Sequence, residues 1–269
     1  MEELPIDVCP AENKPRDKRL DRLNYKNLPK LPATIMILGR CGSGKSSIMY
    51  SLLNRGFTYG KANKSIFDEG ICYIGTLDSK HAFENLPIKN MLVLDEFDAE
   101  DFTEYLDSLK EHQMEKLERN KSPMNTLIVF DDFCGANLIK RHGAKGSVLE
   151  RLALTSRHET NTTLVYASQA YKNSGFANST IRPNITTFIL AQMSLPELEK
   201  FAEENSQDFT KDEFIDLYNK VMAKKPYNFL VIDMRRPLNA RITERFTIPV
   251  PRPARLQELD KLSKQNETK

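Results

Sequence analysis

The stretch that decides the fold is ATIMILGRCGSGKSSIMYSLLNRG, from Ala33 to Gly56. Thr34–Leu38 is a short apolar run, typical of a strand that is buried on both faces. Gly39–Ser46 follows with the pattern G-x-x-x-x-G-K-[ST] and no mismatch. Apolar residues then recur at helical spacing as far as Gly56, where we expect the helix to end. A strand, a glycine-rich loop and a helix in this order predict a phosphate-binding loop.

Each part of this loop has a physical role in holding a nucleoside triphosphate. Glycines let successive backbone N–H groups curl around phosphate oxygens, and the helix N-terminus adds the positive end of its dipole. Lys45 is expected to reach the β- and γ-phosphates, and the Ser46 hydroxyl is expected to ligate Mg²⁺. We therefore predict ATP and Mg²⁺ as cofactors, with a strand-to-helix turn that binds nothing as the alternative. The predicted nucleotide-binding residues are Gly39, Arg40, Cys41, Gly42, Ser43, Gly44, Lys45, Ser46 and Ser47.

The composition of the chain is that of an ordinary globular protein. Of its 269 residues 40% are hydrophobic and 28% charged, which is enough apolar material for a core. The 4 cysteines are scattered without a C-x-x-C pair, which argues against a metal cluster or disulfide framework and for a reducing compartment. We find neither an apolar run of membrane-spanning length nor a signal peptide, and so expect a soluble protein that is not secreted.

Local composition divides the chain into three predicted segments. Residues 1–32 read as an extended basic arm, residues 33–250 as the P-loop ATPase domain, and residues 251–269 as a polar, poorly ordered tail. Since the net charge is only +2, any nucleic-acid contact has to come from local basic patches. Two exist, at Lys14–Lys30 and at Lys224–Arg245, and each is either a binding surface or an ordinary solvated face.

Strand-like and helix-like segments alternate along the predicted domain, which favours a mainly parallel sheet with helices on both sides. One helix has an acidic outer face and spans Phe102 to Leu117. Three more begin at the capping-box patterns that start at Ser147, Ser194 and Thr210. The predicted strands are Thr34–Leu38, Ile71–Gly75, Met91–Leu94, Leu127–Asp131, Thr163–Ser168, Thr186–Leu190 and Asn228–Asp233.

Two of the predicted strands end in a pair of acids. Hydrolysis of a bound triphosphate needs carboxylates of this kind for Mg²⁺ and for the attacking water. The sequence MLVLDEF ends at Asp95–Glu96, and TLIVFDDF ends at Asp131–Asp132. The apolar run before Asp131 predicts a buried strand that delivers a carboxylate to the sheet edge where nucleotides bind. Asp95 leads directly into the acidic helix, typical of a capped surface helix. We favour Asp131 as a Mg²⁺ ligand and Asp132 as the acid nearest the attacking water, with Asp95–Glu96 as the alternative.

Two further residues are candidates for contacts with the terminal phosphate. Gln169 ends the predicted strand TLVYASQ, where a polar side chain can hydrogen-bond the γ-phosphate or the attacking water. Arg157 lies in the turn TSRHET after a capped helix, and a guanidinium offered to a neighbouring subunit completes the site of ring ATPases. The residues alone leave both roles open, because a strand-end glutamine and a helix-end arginine are also ordinary surface residues.

Together these motifs resemble the FtsK–HerA superfamily of P-loop ATPases, and most of all the poxvirus-type genome-packaging ATPases of large DNA viruses, virophages and related transposons. The resemblance is carried by GRCGSGKSS, TLIVFDDF and LERLALTSRHETNTTLVYASQAY, followed by IRPNITTFIL, and covers roughly Ala33 to Leu190. It implies an additional-strand, RecA/FtsK-like α/β fold. By matched position it implies catalytic roles for Lys45, Asp131, Asp132, Gln169 and Arg157, with Ser46 and Asp131 at the metal.

Two positions depart from the pattern of the wider superfamily. The spacing from Arg157 to Gln169 is about one residue longer than in the bacterial pumps, which leaves Arg151 or Arg182 as substitutes for the inter-subunit arginine. Many related pumps have Asp-Glu where this chain has Asp131–Asp132, although an Asp pair suits the packaging branch.

The resemblance implies an ATP-hydrolysing motor that translocates double-stranded DNA, without sequence specificity, into a preformed capsid. It also implies a homo-oligomeric ring, a capsid component as docking partner, no membrane contact, and action at the virion assembly site in the host cytoplasm. Two other classes share the P-loop, namely a nucleotide or nucleoside kinase and a nucleotide-binding switch. A kinase needs an acceptor pocket and an arginine-rich lid, and the sequence has no lid-like segment of that kind.

Overall fold

The computed structural model describes residues 17–76, 80–132, 147–172, 179–253 and 255–257. Within these residues one sheet has nine strands and a separate hairpin has two. The strands are β1 Thr34–Leu38, β2 Thr58–Tyr59, β3 Lys64–Ser65, β4 Glu69–Ile74, β5 Asn90–Leu94, β6 Thr126–Asp131, β7 Thr162–Ser168, β8 Thr187–Leu190, β9 Leu230–Asp233, β10 Ile242–Glu244 and β11 Ile248–Pro249. The α-helices are α1 Lys45–Ser51, α2 Lys80–Glu84, α3 Ala99–Glu118, α4 Val148–Thr155, α5 Leu195–Asn205 and α6 Lys211–Ala223.

The order of strands across the large sheet is β11-β10-β9-β8-β1-β7-β6-β4-β5. The strands from β5 to β8 in this order are all parallel to their neighbours, whereas β9, β10 and β11 extend the sheet in antiparallel fashion. One strand, β7, separates β1 from β6. This arrangement confirms the predicted α/β class with a mainly parallel central sheet of the additional-strand type.

The sheet separates two hydrophobic cores, because successive side chains of a strand point to opposite faces. On β1, Met36 and Leu38 belong to one core, which also contains the aromatic cluster of Tyr73, Phe102 and Phe130. The alternate residues of the same strand belong to the other core, which lies against α1. Every residue of β1 is buried, as its unbroken apolar sequence predicts for a central parallel strand.

Most predicted elements form within one or two residues of their expected ends. The helix after the phosphate loop finishes with a π-helical turn at Leu52–Gly56, so Gly56 ends it as predicted. Ser147 and Thr210 form the predicted capping boxes. The third box is wrong: Ser194 makes no side-chain cap. The Glu197 carboxylate does not return to the Ser194 backbone either, because it accepts hydrogen bonds from the Tyr171 backbone N and from Lys200.

The hairpins β2–β3 and β10–β11 were not predicted. Their strands are only two or three residues long, which is too short for an alternating pattern to be visible in the sequence. The division into arm, domain and tail stays a prediction; residues 1–16 and most of the tail lie outside the described residues. No described helix has the length and apolar character needed to cross a membrane.

Residues 17–32, from the predicted arm, pack against the sheet. Leu20, Leu23 and Leu28 contact the core that faces α1. Arg19 forms a bidentate ion pair with Asp68, with N–O distances of 2.7 and 2.8 Å. Asp68 in turn accepts the backbone N–H of Asn125 at 2.9 Å. This part of the chain is therefore attached to the sheet by both apolar and ionic contacts.

Candidate nucleotide site

The phosphate loop has the backbone that its glycines predict. Gly42 and Gly44 adopt left-handed conformations, with φ of 72° and 87°, which glycine reaches at no steric cost. A side chain at Gly39 would place a Cβ 2.4 Å from Ser43 Oγ. Gly44 stands at the N-cap of α1, so the loop passes directly into the helix N-terminus. Backbone N–H groups at such an end are suited to bind phosphate.

Lys45 is buried at the start of α1, with its side chain only 3% exposed. Its Nζ donates to the backbone O of Arg40 at 3.3 Å, and lies 3.4 Å from Asp132 Oδ1. Asp132 has a left-handed backbone, with φ of 46°. The ammonium group is thus held inside the loop next to a carboxylate, where it can neutralise phosphate oxygens.

Ser46 and Asp131 lie side by side, although they are 85 residues apart in sequence. Ser46 Oγ donates a hydrogen bond of 2.9 Å to Asp131 Oδ1. Asp131 is only 2% exposed, and its negative charge adds to burial in raising the pKa of the Cys72 thiol on the neighbouring strand. A hydroxyl and a carboxylate are hard oxygen ligands, so this pair fits a Mg²⁺ that also binds substrate phosphates.

Among the described residues, no group of three or more His, Cys, Asp or Glu side chains could hold a metal by itself. A Mg²⁺ ion at a nucleotide site needs no such group, because it is bound by few protein ligands and keeps several waters.

The competing acids Asp95 and Glu96 lie elsewhere. They follow β5, which is the edge strand of the sheet, separated from β6 by β4. Both are exposed, and the next residues start α3, where the Asp98 side chain caps the backbone N–H groups of Glu100 and Asp101. The alternative pair therefore follows a strand that is four positions away from β1, the strand before the phosphate loop. Asp131, in contrast, is hydrogen-bonded to Ser46 at the end of that loop.

Gln169 follows β7, the strand between β1 and β6. The backbone N of Gly39 donates to the backbone O of Ser168 at 3.2 Å, so Gln169 begins directly beside the phosphate loop. Its side chain is exposed. The strand order thus brings Gln169 to the carboxyl ends of the parallel strands, where Lys45 and Asp131 also lie.

Arg157 lies at the opposite end of the parallel strands, beside their amino ends. It follows α4 and precedes β7, whereas the phosphate loop follows the far end of the neighbouring strand β1. The five paired residues of β1 alone span roughly 15 Å. Arg157 is close enough to Arg235 for its charge to add to burial in lowering the pKa of that guanidinium. It therefore cannot serve the nucleotide of its own subunit.

The two substitutes for Arg157 are engaged within the subunit. Arg151 forms an ion pair with Asp107 on α3. Arg182 lies 3.5 Å from a Glu204 carboxylate oxygen and 5.5 Å from the centre of the Tyr171 ring. Arg157 has no ion pair with any described acid, which makes it the most available of the three.

A cavity of about 1020 Å³ opens beside the phosphate loop. Its walls come from three parts of the chain: α1, the N-terminal residues 24–28, and the residues around β9 and β10. The last two walls were not predicted, because nothing in their local sequence marks them as part of a nucleotide site. The wall residues from outside the loop and helix include Tyr25, Leu28, Tyr227, Phe229, Arg245 and Phe246.

Comparison with solved structures finds proteins of the same fold. The crystal structure of B204, the DNA-packaging ATPase of Sulfolobus turreted icosahedral virus, is similar at 16% identity with a TM-score of 0.53, covering 82% of this chain and 98% of that one. B204 of Sulfolobus turreted icosahedral virus 2, solved with ATP-gammaS, is 18% identical with a TM-score of 0.46, covering 81% and 97%. At these identities the first similarity shows the fold alone, and the second score is too low to add to it.

A third structure, EssC (ATPases 2 and 3) of Geobacillus thermodenitrificans, is 15% identical with a TM-score of 0.48 and covers 72% of this chain and 42% of that one. A search of curated protein sequences gives no match.

The family comparison covers most of the chain, including every candidate catalytic residue. The model of the poxvirus A32 protein family matches residues 20–235, from before the phosphate loop to beyond β9. Since the match extends over far more than half of the sequence, the resemblance noted in the motifs is confirmed, and the protein belongs to the poxvirus A32 protein family.

Proposed function

We propose that this protein is an ATP-hydrolysing motor that moves viral double-stranded DNA into a capsid. Membership of the A32 family makes it a genome-packaging ATPase. The observation that carries the catalytic part is the contact of 2.9 Å between Ser46 Oγ and Asp131 Oδ1, next to the buried Lys45. This contact joins the phosphate loop to the strand-end carboxylates, which is what hydrolysis requires in addition to binding.

The proposed roles follow from the positions of the side chains. Lys45 would neutralise the β- and γ-phosphates, and Ser46 with Asp131 would hold Mg²⁺, which when bound offsets the negative charge of the phosphates. Asp132, 3.4 Å from Lys45 Nζ, stands where a carboxylate would orient the attacking water. Gln169, at the adjacent strand end, would hydrogen-bond the water or the γ-phosphate.

The placement of Arg157 supports action as an oligomer. Its guanidinium is at the sheet edge away from its own phosphate loop, so any catalytic contact has to be with a neighbouring subunit. We propose that Arg157 completes the site of that neighbour in a homo-oligomeric ring. A capsid component is the proposed docking partner, and the virion assembly site in the host cytoplasm is the proposed place of action.

The predicted DNA-binding patches are partly used inside the subunit. Arg235 donates to the backbone O of Pro32 at 2.9 Å, Arg236 to that of Asn27 at 2.5 Å, and Arg241 to the Gln207 side chain at 2.6 Å. These arginines therefore attach the N-terminal residues and the turn after α5 to the end of the sheet. They are less suited than unpaired cations to bind a DNA backbone.

A groove beside the hairpin β2–β3 offers cations that make no ion pair with any described residue. It is lined by Arg22, Lys61 and Lys64, all exposed. The Asn24 side chain donates to the backbone O of Gly60 and to Asn63 Oδ1 at the hairpin tip, which holds the groove in shape. We propose that this groove contacts DNA phosphates without reading bases.

The experiment is an ATPase assay with and without long duplex DNA, over a range of protein and salt concentrations. A motor should turn over faster as DNA is added and as the protein assembles, and the stimulation should weaken as salt rises. Lys61→Ala with Lys64→Ala should reduce the stimulation by DNA but leave the DNA-free rate unchanged. Lys121→Ala with Lys220→Ala, both exposed and outside the groove and the two basic stretches, is the matched control.

Two results would contradict the motor. Turnover that ignores duplex DNA while phosphate is transferred to a small acceptor would identify a kinase. Tight ATP binding with almost no turnover under all conditions would identify a switch.

A further inference from the structure

The cavity beside the phosphate loop is larger than a triphosphate alone requires. Its volume of about 1020 Å³ is at the upper end of the range of small-molecule pockets, about 300–1,000 Å³. The phosphate loop and Asp132 occupy only one part of its lining. The remainder combines cations, namely Lys26, Arg55 and Arg245, with the aromatic side chains of Tyr25, Tyr227, Phe229 and Phe246. Aromatic rings offer a flat apolar surface that suits the base of a nucleotide better than its phosphates.

Two tyrosines in this region are unusually exposed. Tyr25 is 53% exposed and Tyr227 is 71% exposed, and they are the only aromatic side chains among the exposed large hydrophobic residues of the described chain. Both line the same cavity, from segments about two hundred residues apart. Exposed aromatic rings that converge on one concave site mark a binding surface better than scattered ones do.

The Tyr227 ring lies directly against the phosphate loop. A Cβ on Gly44 would be 3.2 Å from Tyr227 Cδ1, so ring and loop are in contact across the cavity floor. Tyr227 has φ of 53°, a left-handed conformation that a bulky residue rarely adopts. Such conformations persist where surrounding contacts enforce them, and they are frequent at ligand sites. The exposed ring of Tyr227 therefore lies directly beside the phosphate loop.

The residues next to Tyr227 make this wall rigid. The buried Asn228 side chain donates to the backbone O of Val221 at 2.7 Å and to Glu244 Oε1 at 2.9 Å, and it accepts from Arg245 Nε at 3.1 Å. The Arg245 guanidinium lies 5.7 Å from the centre of the Phe229 ring, and Phe229 meets Phe246 edge to face. A preformed surface of this kind binds a planar group at little cost in ordering.

We propose that Tyr227 stacks on the base of the bound nucleoside triphosphate, and that Tyr25 covers the base from the N-terminal segment. This inference rests on the proposed function, because the phosphates of the same molecule occupy the loop. It extends the nucleotide site to residues outside the P-loop motif. Since stacking uses the face of the base and not its edge, the site accepts adenine and guanine alike.

The experiment compares ATP with inorganic tripolyphosphate, which has the phosphates but no base. Isothermal titration calorimetry on the full chain gives the Kd of each for the wild type, Tyr227→Ala, Tyr227→Phe and Tyr25→Ala. Tyr227→Ala should weaken ATP and GTP about tenfold and tripolyphosphate less than twofold. Tyr25→Ala should act in the same direction, and Tyr227→Phe, which keeps the ring, should bind ATP as the wild type does. Leu154→Ala, exposed but outside the cavity, is the control for a surface truncation.

The outcomes separate the base site from the nucleotide site itself. If Tyr227→Ala and Tyr25→Ala bound ATP normally, or lost ATP and tripolyphosphate equally, the stacking role would be overturned while ATP binding by the wild type stood. If the wild type bound neither ATP nor tripolyphosphate, the proposed function would fail with it. Tyr25→Ala tests the stacking role even if Tyr227→Ala disturbs the phosphate loop, because Tyr25 lies on a separate segment of the chain.

Discussion

At the scale of single residues, the two aspartates after β6 have different surroundings and so different proposed tasks. Asp131 is buried and hydrogen-bonded to Ser46, as a metal ligand would be. Asp132 is partly exposed, has a left-handed backbone and faces the Lys45 ammonium. One strand end thus delivers two carboxylates to different points around the same phosphate loop.

The first prediction concerns Asp132. We expect Asp132→Asn to lower kcat for ATP by about 10²- to 10⁴-fold, the usual contribution of a positioned general base, with little change in ATP affinity. Steady-state ATPase kinetics and ATP titration measure the two quantities. Glu96→Gln, at an exposed position on the sheet edge, should leave both unchanged. Loss of turnover in Glu96→Gln with normal turnover in Asp132→Asn would move the role to β5.

The second prediction concerns the metal pair. Asp131→Asn keeps the shape of the side chain but removes its charge, so we expect it to weaken the dependence of ATP binding on Mg²⁺. Titrating Mg²⁺ at fixed ATP should show a higher half-saturating concentration than in the wild type. Asp95→Asn is the matched control, and a normal Mg²⁺ response in Asp131→Asn would exclude the assignment.

At the scale of secondary-structure elements, similar cap sequences give different caps. Thr210 Oγ1 accepts the backbone N–H of Glu213 at 3.2 Å, and the Glu213 carboxylate accepts that of Thr210 at 2.8 Å. Ser194 has the same spacing to Glu197, but that carboxylate is used by the Tyr171 backbone N at 2.6 Å. Tertiary contact therefore overrides the local pattern at α5.

The third prediction uses this contrast. Thr210→Ala should lower the free energy of unfolding by about 1 kcal/mol, because it leaves backbone N–H groups of α6 without their acceptor. Ser194→Ala should cost only a few tenths of that, since no side-chain cap is lost. Chemical denaturation of both variants gives the comparison, and equal losses would show that the cap at α6 has no special weight.

The fourth prediction concerns the ionic attachment of the N-terminal segment. Burial raises the pKa of Asp68, but the hydrogen bonds from Arg19 and from the Asn125 backbone outweigh it, so the pKa is lowered overall. An aspartate with a lowered pKa in the folded state stabilises the fold above its ordinary value, about pH 4, and loses that contribution as the pH falls through its folded value.

We therefore expect the Tm of the wild type to fall more steeply below about pH 4 than that of Asp68→Asn. At neutral pH, Arg19→Ala should lower the free energy of unfolding by about 1–2 kcal/mol, allowing for partial exposure. Glu203→Gln, which breaks an exposed pair with Lys211, should have almost no effect on either measurement. Parallel pH curves for the wild type and Asp68→Asn would show that the pair adds nothing.

At the scale of the whole molecule, we propose that the two ends of the parallel strands serve the nucleotide sites of different subunits. The phosphate loop, Asp131 and Gln169 meet at the carboxyl ends of the parallel strands, and Arg157 lies beside the amino ends. A single subunit therefore has the parts for nucleotide binding but not the proposed arginine for its own nucleotide.

The fifth prediction is a complementation experiment. Arg157→Ala should reduce ATP hydrolysis much more than ATP binding, because the lost cation stabilises charge that develops in the transition state. Lys45→Ala should abolish ATP binding. Mixing the two inactive proteins should restore part of the activity, since a Lys45→Ala subunit can offer its Arg157 to an intact loop. Normal rates for Arg157→Ala alone, or no recovery on mixing, would rule out the trans role.

The sequence predicted the parallel part of the sheet well but not its antiparallel end. Long apolar runs such as that of β6 can be recognised in the sequence, because a strand that is buried on both faces consists almost entirely of apolar residues. The strands β10 and β11 are short, and tertiary pairing places them, β10 against β9 and β11 against β10. In the sequence β10 lies inside the basic stretch Lys224–Arg245, and the structure uses several arginines of that stretch for contacts within the subunit.

Local sequence was sufficient for the phosphate loop, because its glycines, Lys45 and Ser46 are close together along the chain and their conformation depends on near neighbours. The choice between Asp131 and Asp95 needed the strand order, since both acids end apolar strands and only the sheet shows which strand lies near β1. The aromatic part of the cavity needed the tertiary structure altogether. Tyr25 and Tyr227 converge only through folding, and neither residue carries a local pattern that marks its role.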